Sequence, residues 1–286
     1  MINAIQRYMI LFGALLLTPF IVMPAIAWRL SDWGGPSPLT HGAQSPFMAD
    51  LGLLLALVIL LALGGVVSRG LNTAVGLFVI GFGVCLIAFR CDTVETFAWS
   101  EASIWALGVE TILWIPIVAV ITIVVFRFSK GLRDVYSDYS TPPAGSIESL
   151  RGRDGLAMLL CGIPAVGVTW ALLANWSNGQ VLGAVFAGAV VGGVIGRLAL
   201  PRTQPVLLFV GPILVGGLAQ IVLASGFSGT MSDALVAGTA PRLLWVMPLD
   251  WVGGTLGGSA FGLGVARMFF GETLELAARP QATVRA

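Results

Sequence analysis

The residues best suited to chemistry are few, and most of them are carboxylates. Glu110 lies about seven residues into an apolar stretch, roughly 10 Å below its outer end at 1.5 Å per residue. Charge inside a bilayer is costly, so such a group is a functional candidate by default. It suits a proton- or cation-binding carboxylate whose pKa is raised by burial. It equally suits a structural carboxylate, paired with an outer-side arginine or facing a wet cleft. Just before that stretch runs Arg90-Cys91-Asp92-x2-Glu95, followed by Glu101. With Asp32, Asp50, Asp233 and Asp250, these make an acidic mouth able to draw cations, or simply a solvated rim. Asp250, before a glycine-rich run, is placed to cap a helix N-terminus, where the dipole favours negative charge.

The missing groups narrow the field further. No apolar stretch holds lysine or histidine, and none pairs two acids. There is no HExxH, GxSxG or Walker sequence, which points away from membrane proteases, phosphatases and pumps. Cys85, Cys91 and Cys161 show no CxxC spacing and suggest no metal site. Cys85 and Cys161 read as small buried hydrophobes, while Cys91, at a helix end, is free to pair or react. The single histidine, His41, cannot supply the two axial ligands that haem b commonly takes. No cofactor is implied. A net charge of +1 gives no basic character for nucleic acid.

These groups must be positioned by apolar helices. Of 286 residues, 57% are hydrophobic and 10% charged, against about 25% charged in soluble proteins. A chain this apolar needs lipid as its solvent. Its runs are continuous rather than alternating, so they predict helices, at about Tyr8–Trp28 and roughly 48–67, 71–89, 103–126, 155–174, 179–199, 205–225 and 250–269. Ala25-Ile26-Ala27 resembles a signal-peptidase site, but a counterpart later in the chain favours a retained helix. Pro24, Pro116, Pro164 and Pro212 should kink helices rather than break them. The expected fold is therefore all-α and integral to a membrane, with about eight spans and both termini cytoplasmic. Twelve basic residues fall on the inner side (Arg7, Arg69, Arg127, Lys130, Arg133, Arg151, Arg153, Arg197, Arg202, Arg267, Arg279, Arg285), against Arg29, Arg90 and Arg242 outside. Eight tryptophans, among them Trp28, Trp105, Trp176 and Trp251, gather at the outer interface, and all three tyrosines fall inside. A bacterial inner membrane is the expected location.

The halves resemble one another, which suggests an internal duplication: residues 1–130, a cytoplasmic linker at 131–154, and residues 155–286. Pro24-Ala25-Ile26 with Trp28 matches Pro164-Ala165-Val166 with Trp170. Gly64-Gly65-Val66-Val67-Ser68-Arg69 matches Gly192-Gly193-Val194-Ile195-Gly196-Arg197, and Leu77-Phe78-Val79 matches Leu208-Phe209-Val210. Trp105 pairs with Trp251. Units with an even number of spans repeat in parallel, about an axis along the membrane normal. Gly188-x3-Gly192-x3-Gly196 and Gly254-x3-Gly258-x3-Gly262 each put glycines on one helix face, ready for close helix packing. An internal partner helix is the preferred reading. Two four-helix groups are similar in arrangement to the quinone-interacting anchors of some oxidoreductases, although no motif accompanies the likeness.

The leading expectation is a non-catalytic membrane subunit that scaffolds or anchors a larger assembly, with lipids and other membrane subunits as partners. The alternative is a small-solute or cation permease with Glu110, Asp92, Glu95, Arg90 and Asp250 along its entrance. A third, a membrane enzyme using Cys91, Asp92 and Glu110, has the least support.

Overall fold

Backbone amides surrounded by lipid have no water to bond, so long apolar runs close their hydrogen bonds within helices. A computed structural model describes residues 4–32, 34–100, 103–129, 132, 152–200 and 204–278. Among them no strand occurs, and only Leu30 and Pro36 form an isolated bridge. The helices are α1 (Ala4–Ala27), α2 (Pro46–Gly70), α3 (Thr73–Arg90), α4 (Val94–Trp99), α5 (Trp105–Ser129), α6 (Arg153–Leu160), α7 (Gly162–Leu172), α8 (Asn178–Ala199), α9 (Gly211–Ser225), α10 (Met231–Val236) and α11 (Pro248–Ala278). Nearly all of the 131–154 linker, and the chain beyond Ala278, lie outside the described residues.

Among the described residues, seven segments are long and apolar enough to cross a membrane: Ile5–Ala27, α2, α3, α5, the α6–α7 pair, α8, and Leu207–Ser225. The chain thus has the make-up of a multi-span membrane protein. The stretch read as an eighth span, 250–269, lies in α11 but does not belong to this set. Gly253, Gly254, Thr255, Gly257, Gly258 and Ser259 dilute its apolarity. That helix also continues to Ala278, past the end expected from sequence. Pro19, Pro24 and Pro116 are contained within α1 and α5, whereas α6 and α7 break at Cys161, three residues ahead of Pro164. Pro164 has no amide hydrogen to give the carbonyl one turn earlier, at Leu160.

Position within the bundle accounts for the composition of α11. Every residue from Val246 to Ala260 is buried. Two sides of the helix are met at backbone distance and a third through a tryptophan ring. Toward α8, Gly254 meets Val185, Gly258 meets the Phe186 carbonyl and Gly262 the Val190 carbonyl. Toward α3, a methyl built on Gly81 would lie 2.8 Å from Gly257 Cα, and one on Gly253 would lie 2.7 Å from the Cys85 amide nitrogen. Toward α9, Trp251 is wholly buried with its ring over Gly216. Glycine is required at these crossings because any side chain would hold the backbones apart. The second glycine series serves α7: Gly188 faces the Ala165 carbonyl and Thr169, Gly192 faces Ala165 and the Cys161 carbonyl, and Gly196 faces Leu208 and Cys161.

The α5–α9 crossing is also close, with Gly108 against Ile221 and the Gly217 carbonyl. A polar clasp lies beside it. Thr111 Oγ1 donates to Gln220 Oε1 (2.9 Å), and Gln220 Nε2 donates to the carbonyls of Leu243 (3.1 Å) and Val246 (2.7 Å). Thr111 and Gln220 are both fully buried, so Gln220→Leu strands two carbonyls, at about 1–3 kcal/mol. A double-mutant cycle with Thr111→Val, read by thermal unfolding in detergent, should give a coupling of about 1 kcal/mol. Strict additivity would show that the Thr111–Gln220 bond contributes nothing.

Candidate functional site

The tryptophan-rich end of the bundle is knitted together by polar contacts. The link between α1 and α2 folds back on itself around Arg29, whose side chain is fully buried. Arg29 Nε donates to the Ser37 carbonyl (3.1 Å), one terminal nitrogen to the Pro38 carbonyl (3.4 Å), and the other to Thr40 Oγ1 (3.5 Å). Guanidinium suits this task because its donors fan out in a fixed plane. The link thereby presents Thr40 to α5, where its amide (3.3 Å to each oxygen) and its hydroxyl (3.3 Å) donate to the Glu110 carboxylate.

Glu110, half-buried, faces a cleft of about 530 Å³ between α2 and α5. Leu53, Leu54, Leu57, Leu113, Trp114 and Ile117 give this cleft apolar walls, and Thr40, Asp50 and Glu110 supply polar groups. Both helices begin at this end, so Asp50 and Glu110, each within the first two turns, mark the same end of the cleft.

The other candidates do not converge on that point. Arg90 ends α3 with its side chain exposed, and Glu95 is exposed in the first turn of α4. Asp92 is half-buried beside Gly35, its amide donating to the Pro36 carbonyl (2.8 Å). Burial raises its carboxyl above the usual aspartate range. Asp250 is buried at the start of α11 and accepts the Met247 amide (3.0 Å), a contact that ties the helix start as a cap does. Glu101 lies outside the described residues. Of the acids, Asp50 shares the cleft with Glu110, and Asp92 and Asp250 both act on the Cys91 thiol beside Arg29. Among the described residues, no group of three or more His, Cys, Asp or Glu is placed to hold a metal.

Cys91 caps α3 beside Arg29 and is buried. Burial pushes its thiol up to about 11, against the pull of the neighbouring guanidinium. The shift favours the neutral thiol, so at pH 8 the thiolate should be about a hundredfold scarcer than in a cysteine titrating at 9.0. Alkylation of folded protein at pH 8 should therefore leave Cys91 unmodified while denatured protein reacts. Peptide mass analysis showing fast labelling of folded protein would refute this burial.

Arg29 and Thr40 are the site residues that sequence reasoning missed. The signal was there in part: an arginine immediately after an apolar helix, followed by a link too rich in serine, proline and glycine to be helical. No protein-family model, curated protein or solved structure matches the chain.

Proposed function

We propose that this chain is a non-catalytic membrane subunit, a helical scaffold for a larger assembly in a bacterial inner membrane. One observation carries the reading: the boundary between the two groups of helices is closed by glycine against backbone. Gly81 meets Gly257, Gly253 meets Cys85, and Gly108 meets the Gly217 carbonyl. A solute route between the groups would need polar space there. Glu110, the strongest chemical candidate, opens instead into a cleft within the first group.

The proposed architecture is a parallel pseudo-repeat with α11 as an eighth crossing, enclosed by its neighbours, and both termini cytoplasmic. Several contacts support it. If α3 corresponds to α9 and α5 to α11, the cross-boundary pairs α3–α11 and α9–α5 are equivalents. Two short helices, α4 and α10, follow α3 and α9 respectively and pack on each other.

Purification of the untagged-partner complex in mild detergent tests the scaffold reading. Another membrane protein should accompany the chain in fixed ratio, and a monodisperse lone monomer would overturn it. A permease is the second reading, favoured by one feature. The hydroxyls of Thr255 and Ser259 and Nε1 of Trp251, spaced four residues apart along α11, are buried without partners. Such groups are rare in a core and do line solute paths. Thr255→Val with Ser259→Ala, assayed for solute flux in vesicles, separates the two: a scaffold keeps its partner and shows no flux in either form.

A further inference from the structure

The cleft between α2 and α5 combines two features seldom found together on a lipid-facing wall. Its sides are aliphatic, with Leu54 and Leu113 more than half exposed. From Val109 to Ile117 it follows α5 for roughly 12 Å at 1.5 Å per residue. At the end where both helices begin, its wall carries two carboxylates, Asp50 and Glu110, and no basic side chain among the described lining residues. Arg29 stands behind this end: it donates to the Thr40 hydroxyl, which in turn donates to Glu110. The hydroxyl and amide of Thr40 hold the Glu110 carboxylate in one orientation.

We propose that this cleft seats a phospholipid with a primary-amine headgroup, of the phosphatidylethanolamine type. An ammonium group brings positive charge and three N–H donors to the carboxylate end. The acyl chain lies along the aliphatic wall. A choline headgroup has the charge but no donor, and an anionic headgroup has the wrong sign. The other groove on the same α2–α5 seam is of opposite character: Arg69 lies over the Phe128 ring at 5.1 Å and donates to the Phe128 carbonyl (3.4 Å).

The test is thermal unfolding of the full-length protein in detergent micelles with added dioleoyl phosphatidylethanolamine, phosphatidylcholine or phosphatidylglycerol at equal mole fraction. A lipid that binds only the folded state raises the midpoint. The ethanolamine lipid should raise Tm by about 3 °C more than the choline lipid. Glu110→Gln and Asp50→Asn should each remove at least half of that difference. Leu113→Trp, which fills the cleft from its exposed side, should abolish it and leave the lipid-free Tm in place. If Glu110→Gln fails to fold, Asp50→Asn and Leu113→Trp decide the matter. Equal effects of the ethanolamine and choline lipids would overturn the proposal, as would a Leu113→Trp protein that keeps the difference. A dominant effect of phosphatidylglycerol would overturn it too, assigning the lipid contact to basic grooves such as that of Arg69.

Discussion

Gly81→Val is expected to lower stability by about 3 kcal/mol, or to prevent recovery of a monodisperse protein. The clash is with backbone: the new Cβ meets the Gly257 amide and Cα and the Leu256 carbonyl carbon. No rotamer change can relieve it, so α3 and α11 must separate along a crossing that also holds Gly253 and Cys85. Separation would open gaps lined by Ile80, Val84 and Leu256, all fully buried, and would lose their dispersion contacts. Gly167 is the control, since a Cβ there meets nothing within 4 Å. Thermal unfolding of both valine variants in one detergent makes the comparison. Equal midpoints would mean that α3 and α11 do not touch as described.

Arg29→Met should cost about 3 kcal/mol, and its effect should be concentrated in one segment. The substitution keeps much of the apolar stem but withdraws the donors from Ser37, Pro38 and Thr40. Those acceptors sit in a partly buried link that water cannot readily reach, so losing a charged donor outweighs the relief of exposing no buried cation. Thr40 then loses its anchor, and Glu110 with it. Hydrogen exchange should accelerate across residues 30–44 and change little in α8. Uniform acceleration through the bundle, or none, would contradict the role given to Arg29.

The elements were legible in sequence wherever hydrophobicity alone decides. The stretch read as 48–67 became Pro46–Gly70, and 179–199 became Asn178–Ala199, because continuous apolar runs have one way to satisfy their backbone. Glycine spacing drew attention to one face each of α8 and α11, although which helices meet there is a property of the bundle and not of either stripe. The short helices α4 and α10 were missed because six residues carry too little pattern to register. Each is started by a threonine whose hydroxyl accepts an amide, Thr93 from Glu95 and Thr230 from Asp233. At the candidate site, Glu110 was identifiable as a charge among apolar neighbours. Its partner was not, since Thr40 lies 70 residues away in a link whose path is set by the buried Arg29.

The glycine-rich surface that lets α11 nest so deeply has a cost during biogenesis. A segment with this little side-chain bulk gains little on leaving the translocation channel for bare lipid. In the proposed arrangement its insertion relies on a groove already furnished by α3 and α8, which precede it in the chain. Membrane integration would then be sequential, with the last crossing recruited by protein contact rather than by partitioning. Glycosylation mapping should find residues 248–278 translocated or peripheral when appended to an unrelated membrane domain, and integrated when they follow their own bundle.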